Sequence, residues 1–127
     1  MSGLGNQIDG QHYTAMKMQP VELAYRLYGT PCFCKLAKYL TRDKGDKLVN
    51  LNKAKHCVQL EIDLKTYAFQ YIDNLDLLSV DSGTALINTF TDNKLYREAL
   101  LRMWIGDYNG ALRVMDDIIA EYMSWLP

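Results

Sequence analysis

What the sequence lacks bounds it first. Among its 127 residues no apolar run approaches the ~18 that a membrane-crossing helix needs. Its start, "MSGLGNQIDG", is polar and glycine-rich and has no apolar signal region. Cysteine is scarce and odd in number (Cys32, Cys34 and Cys57), which reads as reduced thiols in a cytosolic protein rather than a disulfide framework. No stretch sustains the alternation of a strand, so strands are not expected either.

The motif record is also sparse. There is no G-x-x-x-x-G-K-[ST] loop and no G-x-G-x-x-G, which argues against an ordinary P-loop kinase. H-E-x-x-H and C-x-x-C do not occur, and neither does the Glu-x-x-Glu pattern of all-α nucleotide pyrophosphatases. Cys32 and Cys34 lie two apart at a helix start, so their thiols diverge. A zinc set with His56 and Cys57 is therefore not expected, and buried thiols are the simpler reading. Asp116 and Asp117 are neighbours on a helix, diverge by ~100° and do not share a site. The two histidines, His12 and His56, have no patterned Ser or acid partner.

What is present is an uneven charge. The chain as a whole carries net −1, which predicts no nucleic-acid binder. From Lys35 to Lys55, however, seven Lys and Arg face two acids, and the remainder has seven cations against thirteen acids. A basic patch on an acidic body suits a local anion such as phosphate better than a long polyanion.

Helical spacing accounts for most of the chain. Residues 1–10 read as a flexible arm, and 11–127 as a single helical domain. Pro20 suits a first helical turn, Glu22 lies near its positive end, and Gly29 and Pro31 punctuate its end. A second helix is predicted from Pro31 to Thr41, then a loop at "RDKGDK", then a long helix from about Val49 to Asp73. Leu51, Ala54, Cys57, Val58, Leu60, Ile62 and Leu64 give the long helix a wide apolar face, continued by Tyr67 and Tyr71. Glu61 and Lys65 are spaced as an i,i+4 pair in the favoured order. Asp81 or Ser82 is expected to cap a helix through Phe90, and Thr91 or Asp92 another through Ile105. "GDYNG" reads as a turn before an amphipathic helix from Ala111 to Trp125, with Leu112, Met115, Ile118, Ile119, Tyr122 and Met123 on one side. The expected fold is all-α, a compact bundle of five or six helices.

The best candidate for chemistry is "KLAKYLTR". At ~100° per residue, Lys35, Lys38 and Arg42 fall within an arc of about 60°. If the long helix packs antiparallel beside this one, Lys53 and His56 approach the same groove. Such cations would neutralise phosphate, and Arg42 can grip two oxygens at once. The competing reading is a solvated helix face.

Four short anchors carry a resemblance: His12-Tyr13, then "QPVEL" (Gln19 to Leu23), "KYLTR" (Lys38 to Arg42) and "NLNKAKH" (Asn50 to His56). In order and spacing these resemble a small protein family of tailed phages, long uncharacterised and now commonly labelled nucleotide kinase. That family's pattern is His-Tyr, Gln-Pro-Ile-Glu, Gly-Asn-x-x-Lys-Tyr-x-x-Arg and Asp-Leu-x-Lys-Ala. The likeness covers a core of about residues 11–65, and 66–127 is an unassigned helical extension. It implies nucleotide binding, with phosphoryl transfer to deoxynucleoside monophosphates without a Walker motif, in the cytoplasm of an infected bacterium. Mg2+ and a nucleoside triphosphate would then be required.

On that resemblance His12, Tyr13, Gln19, Lys38, Tyr39 and Lys53 are substrate-binding candidates, and Glu22 and Arg42 catalytic ones; Lys35 and His56 join the substrate-binding set from the basic stripe and the groove beside it. Lys38, Arg42 and Lys53 would clamp phosphates, while Tyr13 or Tyr39 stacks on a base. Glu22 would handle metal or a proton, or else simply favour a helix N-terminus. Two departures bear on this. Cys34-Lys35 replaces the Gly-Asn pair, and Asn50 replaces an acid that could hold magnesium. The alternative function is a non-enzymatic phage accessory protein that binds a host protein. The tail "EYMSWLP", with Tyr122, Trp125 and Leu126, would anchor that partner or a second copy.

Overall fold

The computed structural model describes residues 18–65 and 77–127. These form six helices and no strands: α1 (Pro20–Arg26), α2 (Pro31–Thr41), α3 (Lys47–Leu64), α4 (Val80–Phe90), α5 (Lys94–Trp104) and α6 (Tyr108–Ser124). The all-α expectation holds for them. The arm at 1–10 and the far end of the long helix, 66–73, lie outside the described residues.

Local chemistry sets the helix ends. Pro31 opens α2, and the Thr30 hydroxyl accepts from Phe33 N–H at 3.1 Å. Asp46 caps α3 by accepting from Val49 N–H, which starts the helix at Lys47, two residues before the expected Val49. The caps of α4 and α5 are Ser79 and Asn93 rather than Asp81 or Ser82 and Thr91 or Asp92. In each run the residue just before the first helical residue takes the cap, its side chain accepting from the third amide of the helix, and the expected residues fall one to three positions away. Asp107 both receives the last turn of α5, through its N–H on the Arg102 carbonyl, and caps α6 through Gly110 N–H. The helix therefore begins at Tyr108, inside "GDYNG". At the end of α1 the left-handed residue is Tyr28, φ 56°, not Gly29. Gly29 serves a close approach instead, since a Cβ there would stand 2.8 Å from the Phe33 ring.

The core is a stripe on each helix. Phe33, Leu36, Ala37 and Leu40 of α2 bury at i, i+3, i+4 and i+7. α3 lies between α2 and α6 and buries Leu51, Ala54, Cys57 and Val58. Its apolar face is narrower than the sequence suggests: Leu60 and Ile62 are half-buried, and Leu64 is exposed. Glu61 is buried where the face was expected to widen. Met123 of α6 is likewise exposed rather than lining the core. Trp104 of α5 donates its indole N–H to the Leu27 carbonyl at 2.9 Å, which ties the C-terminal helices to the end of α1. α4 reaches the same indole through Gly83, the position with no side chain to hold it off.

Candidate functional site

The α2–α3 hairpin is antiparallel, as a ladder of contacts along it shows. Next to the loop, Lys47 Nζ donates to the Leu40 carbonyl at 2.6 Å and lies 3.5 Å from the Arg42 carbonyl. A turn farther along, Lys53 Nζ lies 5.6 Å from the centre of the Tyr39 ring. At the far end, Cys32 neighbours Cys57, and the Thr30 side chain bonds the Glu61 carboxylate. A five-residue connection, 42–46, permits only such a return.

This register brings part of the predicted site together. Lys38 Nζ is 5.7 Å from the same Tyr39 ring that Lys53 approaches. Tyr39 is thus flanked by a lysine from each helix, at distances where the ring quadrupole attracts an ammonium. His56 follows Lys53 by one turn on the exposed face of α3, and Lys35 precedes Lys38 by one turn on α2. Arg42 is the C-cap of α2 and half-buried. Among the described residues, the ion pairs use Arg26, Lys55, Arg97 and Arg102, and none uses Lys35, Lys38, Arg42 or Lys53.

Other predicted residues are engaged elsewhere or lie outside the description. The Glu22 carboxylate is bound to Arg26 at 2.7 Å, a turn away on α1. Gln19 is the N-cap of α1, its carbonyl accepting from Leu23 N–H. His12 and Tyr13 lie outside the described residues. The two departures from the phage pattern have different local consequences. Asn50 is buried and donates from Nδ2 to the Lys44 carbonyl at 2.8 Å, which fastens the loop between α2 and α3. Cys34 is half-buried, and burial pushes its thiol up against the opposing pull of Lys38 and Lys35. The shift favours the thiol over the reactive thiolate. Burial likewise pushes Cys57 up to about 11.

Three features were not read from the sequence. Lys47 satisfies the end of α2 and also stands 5.4 Å from the Tyr96 ring; burial pushes its ammonium pKa down. Glu61 and Lys65 form no close ion pair among the described residues, although the Lys65 charge still pulls the Glu61 pKa down; the Lys65 ammonium lies 4.9 Å from the centre of the Tyr108 ring. The buried Glu61 carboxyl is pushed up by desolvation, against the hydrogen bond from Thr30. Among the described residues, a cavity of about 150 Å3 lies where α5 and α6 meet Leu51 of α3, another of about 580 Å3 lies between α5 and α6, and neither is lined by a residue of the basic stripe. No helix among the described residues is long and apolar enough to cross a membrane, and no three of their His, Cys, Asp or Glu side chains gather into a metal-binding group.

No family model, no curated protein and no solved structure matches the chain.

Proposed function

We propose that this chain binds a nucleotide through its phosphates, on the outer face of the α2–α3 hairpin. The observation that supports this reading is the meeting of Lys38 and Lys53 on Tyr39, on a face whose cations have no acid partner among the described residues. Lysines that hold no carboxylate keep their ammonium hydrogens for another anion. Lys35 and Arg42 extend the same field along α2, and Tyr39 offers an aromatic edge for a base.

Deoxynucleoside monophosphate kinase activity is the finer proposal, supported by the resemblance of residues 11–65 to the phage family. It needs a nucleoside triphosphate and Mg2+. The described carboxylates do not fit a magnesium site of their own: Glu22 is held by Arg26, and position 50 carries an amide that holds the loop. Magnesium would accordingly arrive on the triphosphate, and the chain's contribution would be charge and position. A thermal-shift screen with deoxynucleoside mono- and triphosphates tests binding. A ligand at about 100 times its Kd stabilises by about 2.7 kcal/mol, and no shift at millimolar ligand would sink the proposal. Arg42→Ala should weaken binding about tenfold and change the unfolding free energy by no more than about 0.5 kcal/mol. Unfolding instead would make Arg42 structural.

A second reading, a phage accessory protein that docks on a host protein, draws on the C-terminus. Trp125 is 80% exposed, and Met123 and Leu126 stand exposed beside it. A large indole held in water is a recurrent anchor for a partner.

A further inference from the structure

The smaller cavity differs in character from the basic stripe and shares none of the stripe's residues. Its floor is the buried Leu51 and Ile118, and its walls are Tyr96, Tyr122, Trp125 and Glu121. At about 150 Å3 it lies below the ~300 Å3 where ordinary small-molecule pockets begin, so it suits the end of one side chain. Three aromatic rings and a carboxylate surround that space. Ring faces are electronegative, and a carboxylate adds a full charge, so the chemistry selects a cation.

Glu121 has no cation partner among the described residues, whereas Glu22, Asp92, Glu98, Asp107 and Asp116 each hold one. Lys47 stands near Tyr96, 5.4 Å from its centre, but it is tethered to the Leu40 carbonyl at the end of α2. Tyr122 and Trp125 therefore carry the stacking, with Trp125 80% exposed at the rim.

We propose that this cavity takes the guanidinium of an arginine presented by a partner protein. A guanidinium is planar and weakly hydrated. It can lie flat on an indole while its edge forks to a carboxylate, which an ammonium cannot do. The acidic balance outside 35–55, seven cations against thirteen acids, favours a basic partner on approach.

The test is a titration of the full chain followed by the tryptophan indole N–H signals in 15N–1H spectra. Trp104 is buried and bonded to Leu27, and the Trp125 signal is identified as the one lost in Trp125→Phe. Acetyl-Gly-Arg-Gly-amide should move the Trp125 signal saturably and leave Trp104 in place. The citrulline peptide, neutral but nearly isosteric, should bind at least about tenfold more weakly, and so should the arginine peptide to Glu121→Gln. No movement, equal binding of the citrulline peptide, or an unchanged Glu121→Gln would overturn the proposal. Equal binding of the lysine peptide would overturn the choice of guanidinium.

Discussion

Single residues decide whether this chain keeps an anion site or only a helix face. Asn50 is the sharpest case, because its amide holds the Lys44 carbonyl from a buried position. Asn50→Asp puts two acceptors face to face. It should cost about 1 to 3 kcal/mol in chemical denaturation, and an unchanged stability would contradict this role. Glu61 gives a pH dependence with a definite sign. Desolvation raises its folded-state pKa above the ordinary 4.5, so folding favours the protonated form. The stability it contributes is present below pH 4.5 and is lost as pH rises through the folded pKa. Glu61→Gln should thus be more stable than the parent at pH 7, with the gap closing as pH falls towards 4.5. A gap that widens on acidification would contradict it.

Among the elements, the hairpin of α2 and α3 positions the candidate site, α5 and α6 brace it from behind, and α4 packs on α1 and α5. α4 is held close to α5 where Gly83 meets the Trp104 indole. Gly83→Ala drives a methyl group into that ring, and the indole cannot swing away without giving up its bond to Leu27. A loss of about 1 to 3 kcal/mol is expected from overpacking, with a red shift of Trp104 emission in a Trp125→Phe background. Unchanged stability would show that α4 is free to slide. Much of this level was legible in the sequence. The stripe Phe33, Leu36, Leu40 and the prolines at 20 and 31 gave α1 and α2 their bounds. The caps were harder to read, because "SVDSG" and "TFTDN" each offer several Ser, Thr, Asp or Asn residues, and residue type alone does not single out Ser79 and Asn93. The burial of Glu61 had a periodic signal, since it follows Ala54, Cys57 and Val58 at helical spacing, but its charge and its i,i+4 relation to Lys65 suggest an exposed pair until Thr30, the cap of α2, meets it.

At the scale of the whole molecule, charge is separated: cations gather on 35–55 and acids over the remainder. The spacing of Lys35, Lys38 and Arg42 was visible in one dimension, and the approach of Lys53 to Tyr39 followed once the long helix was taken to return antiparallel. The aromatic cavity was not visible, since Tyr96, Glu121 and Trp125 come together only when α5 packs on α6. The nucleotide proposal requires that two lysines from two helices hold the phosphate. Its most direct test is calorimetric titration of deoxynucleoside monophosphates into the parent and into Lys38→Gln/Lys53→Gln. The lysine pair is half-buried to exposed, so the variant should fold as the parent does. Binding by the parent, weakened at least about tenfold in the variant and falling as salt rises, is the predicted result. Equal binding by both proteins, or none by the parent at millimolar nucleotide, would contradict it.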